Sequence, residues 1–355
     1  MLFPKGYFVY TLKTTFRKDD HTNQSMLNIS RVLMILAVTG LLISSAIAQK
    51  SRDKIEIVKP KGYAVPVMER SAALQTILSA AVSDVMAAYK IKPEEIGATL
   101  IDLRDPNKLQ MADVNGENRL YTASVVKLFY MAALERQLED GKAVMTKELE
   151  RGLRDMIVDS SNEATQYILD VLTDTSSGSE LPQKQFDAWQ YKRNRVNRFF
   201  ASLGYLNINV NQKTFCEDAY GIEQQSRNYK GQNRNMLTTN ATARLLAEIA
   251  LRRFVNEKRS EGMLALLSRD WSKPSTDNDN QAVGFTGKAL VDGKMTGVKL
   301  WSKAGWTSKS RHDAAYIETP DGLKFVIVVF TENHANEREP IPEIAAKIMK
   351  GLQGK

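Results

Sequence analysis

Ser124 and Lys127 stand three positions apart in a run otherwise written Val125, Val126, Leu128, Phe129, Tyr130, Met131, Ala132, Ala133 and Leu134. Residues at that spacing share one face of a helix. A helix this apolar on every side is a buried one, and a lysine inside it is costly unless it is paired or neutral. A serine hydroxyl is a weak nucleophile until a nearby base takes its proton, and a desolvated lysine amine is able to do so. The same pair also fits a plainer reading, in which Ser124 caps the helix and the Lys127 stem snorkels outward.

Two further segments carry polar groups suited to the same chemistry. Ser160-Ser161-Asn162 lies at a corner between two amphipathic patterns, where Ser160 and Asn162 can face a cleft. With Glu163 it also fits a capping box, Ser160 as the cap and the glutamate three residues later. Lys303-Ala304-Gly305-Trp306 lies on an extended segment. There Gly305 lets a substrate lie along the strand and Lys303 offers a charge to a carboxylate. The alternative is an edge strand blunted by its lysine.

These groups need elements to hold them. Leu74, Ile77, Leu78, Ala81, Val82, Val85, Met86 and Tyr89 recur at helical spacing. A strand over Ile96–Leu103, a turn at Asp105-Pro106-Asn107 and a partner strand over Leu109–Val114 follow, closed by Asn115-Gly116. Helical patterning dominates from Ala123 to about Thr296, broken by a polar stretch at Asn207–Asn235. Strand signals return at Val298–Lys303, Ala314–Glu318 and Leu323–Thr331, and Pro340–Leu352 reads as a closing helix. Strands from both termini around a helical middle predict a mixed α/β chain of the α+β type. It has one antiparallel sheet, flanked by helices, with an all-helical lobe inserted.

Residues 1–48 read as an upstream extension and signal peptide, 49–70 as a flexible lead-in and 71–355 as the working domain. Arg31, the apolar run Val32–Ile43 and the small residues ending at Ala48 make a basic flank, a hydrophobic core and a cleavage site. That run is shorter than the roughly 20 residues a membrane span needs. The expectation is an exported protein, periplasmic or secreted, without a stable membrane anchor after cleavage. Met1 and Met26 both remain open as the start.

The full chain of 355 residues has a net charge of +8, dispersed along the sequence rather than gathered in a stripe, so it argues against a nucleic-acid partner. A single cysteine, Cys216, excludes an internal disulfide framework, and three histidines, His21, His312 and His334, leave little for a metal centre. His312-Asp313 lacks the G-x-S-x-G elbow of a serine triad, and adjacent strand residues point apart. Cys216 reads as a loop thiol rather than a nucleophile.

In order and in setting, Ser124-Val125-Val126-Lys127, Ser160-Ser161-Asn162 and Lys303-Ala304-Gly305 resemble the S-x-x-K, S-D-N and K-T-G signature of the class A β-lactamase and penicillin-recognising serine hydrolase family. The resemblance spans about residues 71–352. It implies that Ser124 forms an acyl-enzyme, Lys127 activates it and Ser160 relays a proton to the leaving nitrogen. It further implies that Asn162 binds the substrate amide and Lys303 its carboxylate, with the Ser124 and Trp306 amides as the oxyanion hole. Arg311, on the next extended segment, would add carboxylate binding or be a solvated surface arginine. The glutamate that activates the deacylating water would be Glu217 or Glu223, neither in a clean E-x-x-L-N context. Ser161 and Ala304 depart from the signature, the second removing a hydroxyl from the carboxylate site. The expected reaction is β-lactam hydrolysis by a monomer acting on a small-molecule β-lactam or acyl-D-amino-acid substrate, with no metal and no cofactor. A D,D-peptidase or esterase, or a penicillin-binding sensor without turnover, stand as alternatives.

Overall fold

The computed structural model describes residues 55–354. The signal-peptide reading and residues 49–54 lie outside them. Seven strands form one sheet in the order β1-β3-β2-β9-β8-β7-β6. They are β1 (Met68–Arg70), β2 (Ile96–Asp102), β3 (Leu109–Val114), β6 (Ser268–Arg269), β7 (Lys299–Trp306), β8 (Ser310–Glu318) and β9 (Lys324–Glu332). All neighbours run antiparallel except β1 with β3. The α+β architecture expected from sequence is the one observed.

The most strand-like segment of the chain sits at the centre of the sheet. Phe325, Ile327 and Val329 of β9 enter one core, with α1 (Ala72–Tyr89) and α11 (Pro340–Gln353). Val326, Val328 and Phe330 enter the other, with α2 (Lys127–Glu139) and α8 (Thr239–Ala250). A strand buried on both faces has no polar side to show, which is why its sequence is continuously apolar rather than alternating.

The inserted lobe contains α3 (Lys147–Ile157), α4 (Asn162–Thr173), α5 (Gln183–Arg193), α6 (Arg195–Ser202) and α7 (Ile222–Arg227). After α8 comes α9 (Glu257–Leu267), and α10 (Thr286–Asp292) precedes β7. The region dominated by helical patterning also holds β6 and a second short strand, β5 (Met236–Leu237), which pairs with β4 (Leu120–Tyr121) just before that region. Two residues are too short to leave a periodic signal.

From Ile55 onward the lead-in is docked. Glu56 accepts from Arg195 and Arg198 at 3.1 and 2.8 Å, and Tyr63 donates to Glu248 at 2.8 Å. Its last residues become β1. Polar composition alone does not reveal these partners, because all of them lie more than a hundred residues away.

Candidate active site

Ser124 lies in a single 3₁₀ turn, Ala123–Val126, rather than in the helix proper, which starts at Lys127. Ala123 adopts a left-handed backbone, φ 44°, as does Ser160, φ 58°. Non-glycine residues in that region cost about 1–3 kcal/mol each and persist where surrounding structure imposes them. Here they stand at the two serines of the candidate site.

The Lys127 side chain is fully buried, with 0% exposure, which removes the snorkelling alternative. Its amine donates to Ser160 O at 2.5 Å, Ser160 Oγ at 3.2 Å and Asn162 Oδ1 at 3.0 Å. Burial pulls its pKa down to about 7, against the opposing pull of Glu163 and Cys216. Ser124 is half-buried, and among the described residues its hydroxyl makes no side-chain hydrogen bond, so it does not cap the helix.

The second corner differs from its sequence reading by one residue. Ser161, not Ser160, caps α4, its Oγ accepting from the Ala164 amide at 3.0 Å. Glu163 receives the Ser161 hydroxyl at 3.1 Å rather than reaching back to close the box. Ser160 is thereby free for the site. Its Oγ accepts from Lys303 Nζ at 2.9 Å as well as from Lys127, so one hydroxyl bridges two buried amines. Lys303 is also fully buried and donates to Gln281 Oε1 at 2.6 Å and Ala304 O at 2.8 Å. Burial, with the charges of Lys127 and Arg269 nearby, holds its pKa well below the ordinary lysine value.

Gly305 explains how β7 reaches the nucleophile. A Cβ at this position would lie 2.8 Å from Ser124 N and 2.9 Å from Val125 N. Only a glycine lets the strand press against the turn this closely. Trp306 follows at the rim, its ring 5.7 Å from that of Phe285. Ala304 projects into the core on the opposite face of the sheet from Lys303.

Three expected members sit elsewhere. Arg311 is neither solvated nor free: it donates to Asp279 at 2.7 Å and to the Gly284 carbonyl at 2.6 Å, and stacks on Phe285 at 3.9 Å. It pins the 278–284 loop instead of facing a substrate. Glu223 is 1% exposed, bonded to Arg193 at 2.6 and 2.8 Å and to Ser177 at 2.9 Å. Burial would raise its pKa, but Arg193 and Lys213 hold it below the usual glutamate value. Glu217 is exposed on the loop surface. Neither acid is hydrogen-bonded to Lys127, Ser160 or Asn162. The loop group that does meet this cluster is Cys216, whose Sγ accepts from Asn162 Nδ2 at 3.4 Å.

Two supporting residues left no readable sequence signal. Gln281 carries Lys303 and ties it to the Val158 carbonyl at 2.9 Å. Arg269, on β6, donates to Ser302 O at 2.8 Å and Ile157 O at 3.1 Å, joining β7 to the end of α3. His312 and Asp313 do point apart, His312 to Tyr121 O at 2.7 Å and Asp313 to the Thr286 amide at 3.1 Å.

A family model described as the β-lactamase enzyme family matches residues 77–352. The chain belongs to that family. The β-lactamase of Sphaerobacter thermophilus superposes with a TM-score of 0.55 at 20% identity, covering 78% of this chain and 95% of that one. A class A β-lactamase from Bacteroides cellulosilyticus gives 0.53 at 15% identity, with 80% and 100% covered. A PBP-A variant, solved as an acyl-enzyme complex with penicillin G, gives 0.55 at 16% identity, with 82% and 100% covered. At these identities the likeness is one of fold. No curated protein matches the chain. Family and fold together make it a member of a β-lactamase-like serine hydrolase family.

Proposed function

We propose that the chain is an exported serine hydrolase that opens β-lactams, or related acyl-D-amino-acid compounds, through an acyl-enzyme on Ser124. The observation that carries this reading is the bridging of two buried lysine amines by Ser160 Oγ beside the Ser124 turn. Lys127 in its neutral form takes the Ser124 proton as Oγ attacks the carbonyl. The C–N bond then breaks, and Ser160 passes a proton to the leaving nitrogen. Lys303 Nζ, bonded to the same Ser160 Oγ, is the group that would meet a substrate carboxylate, while the Ser124 and Trp306 amides receive the oxyanion. Removing one such donor typically costs about a hundred- to a thousandfold in rate. Asn162 binds the substrate amide.

The environments of Glu217 and Glu223 favour a second reading, in which acylation outruns deacylation. One acid lies at the surface and the other is held by Arg193, so neither is hydrogen-bonded where a deacylating water would be activated. On this reading the chain is a slow hydrolase, a D,D-peptidase or a penicillin-binding sensor. Mixing the protein with a chromogenic cephalosporin distinguishes the cases. Sustained product release marks a β-lactamase, and one equivalent of burst marks a trap. Absence of both product release and any adduct on Ser124 by intact mass overturns both readings.

A further inference from the structure

A second cleft, of about 710 Å³, opens on the helical lobe and shares no lining residue with the Ser124 cluster. Its size is that of a small-molecule site. The α5–α6 junction supplies Gln190, Tyr191 and Asn194, and the 209–233 stretch supplies Asn209, Asn211 and Tyr229 from the other side. The amides are fixed before any ligand arrives. Asn194 Oδ1 accepts from Asn197 at 2.7 Å and from Asn211 at 3.0 Å, and Asn197 also donates to Asn209 at 2.6 Å.

This locking leaves particular groups over. Gln190 is 6% exposed and its Oε1 accepts from Ser226 at 2.7 Å, yet its amide N–H₂ has no partner among the described residues. The Asn194 N–H₂ is likewise unpartnered there. Both residues line the cleft. Tyr191, 55% exposed at the rim, has one ring face covered by the Arg198 guanidinium at 4.0 Å. That guanidinium is bonded to Glu56, at 2.8 and 2.9 Å, a carboxylate it shares with Arg195.

The chemistry narrows the occupant. Of the charged groups on the wall, Arg198 is bonded to Glu56, Asp187 accepts from Gln183 and Lys230 lies over the Tyr229 ring. Uncharged amides and tyrosines therefore dominate what a ligand meets, a poor match for a phosphate or nucleotide. A wall of amides likewise penalises an apolar ligand, whose entry would strand their donors. Rigid amide donors beside aromatic rings suit a ligand whose hydroxyls both donate and accept and whose C–H faces can stack. We propose that this cleft binds a neutral oligosaccharide, independently of the chemistry at Ser124.

The test is ligand-observed saturation-transfer NMR on the full chain with triacetylchitotriose, and with maltotriose and inorganic phosphate in parallel. Saturable transfer from at least one trisaccharide is expected, with affinity falling at least fivefold in Tyr191→Ala. A similar fall is expected in Gln190→Met, which keeps the side-chain volume. Tyr191→Ala leaves Arg198 anchored on Glu56, so the rate of Ser124 acylation should be unchanged and reports that the fold is intact. No saturable transfer from either sugar, binding undiminished in Tyr191→Ala, or binding of phosphate in place of sugar overturns the proposal.

Discussion

A lysine amine poised near neutrality makes its own protonation the switch for the serine beside it. Because burial brings Lys127 down to about 7, the neutral, proton-accepting form grows as pH rises through that value. The acylation rate constant should therefore climb between pH 6 and 8 with a midpoint near 7, read by stopped-flow absorbance. Lys127→Arg keeps the charge permanently, so its rate should be low and flat across that range. Ser124→Ala should abolish the covalent adduct by mass while leaving the thermal melt nearly unchanged, since Ser124 Oγ supports no cap. For Glu223 the expected outcome is structural. Glu223→Gln leaves two buried cations, Arg193 and Lys213, sharing the single carboxylate of Asp170, a loss expected to approach the roughly 3–5 kcal/mol of a broken buried pair and measurable by urea denaturation. Deacylation per folded molecule should not slow in this variant, and a trapped acyl-enzyme would show that Glu223 reaches the site after all.

Single elements decide how these side chains meet. Gly305 lets β7 lie on the 3₁₀ turn, so Gly305→Val pushes a Cβ to within 2.8 Å of the Ser124 amide. Small displacements at a reacting centre can cost about a hundredfold. Acylation of this variant should fall by about that factor, with circular dichroism unchanged. The corner before α4 works by division of labour: Ser161 caps the helix and so releases Ser160 to bridge the two amines. Ser161→Ala should cost about 1 kcal/mol in stability, whereas Ser160→Ala should leave stability closer to wild type and slow acylation. An equal loss of stability in both would mean that the cap and the relay are not separate.

The whole molecule carries an acid sensitivity that has nothing to do with catalysis. His312 is wholly buried between β9 and Tyr121, accepting from the Thr331 amide at Nδ1, so Nε2 carries the proton given to the Tyr121 carbonyl. Burial lowers its pKa to about 4, against an ordinary value of 6.5. Between those values the unfolded chain binds a proton that the folded one refuses. Stability should therefore drop as pH falls from about 6.5 to 4, by about 3 kcal/mol once both values are passed. Melting curves at pH 7 and pH 4.5 for wild type and His312→Gln check this; an equally steep loss in the variant would place the sensitivity elsewhere.

How much of this was legible beforehand follows from the range over which each signal acts. The Phe325–Phe330 run, the α1 periodicity and the three short motifs are local, because side-chain hydrophobicity and backbone preference act within a few residues. They determined the α+β class, the hairpin of Ile96–Leu103 with Leu109–Val114, and the choice of Ser124, Lys127, Ser160, Asn162 and Lys303 as candidates. The fates of Arg311 and Glu223 were decided by the tertiary structure. An arginine on a strand and a glutamate in a polar loop look solvated until Asp279, Phe285 and Arg193 arrive from distant segments to bury them. The same holds for Gln281 and Arg269, whose value lies in carbonyls and amines that fold around them. Charge is cheap in water and expensive inside, so the partner a charged group finds depends on packing, which no short stretch of sequence encodes.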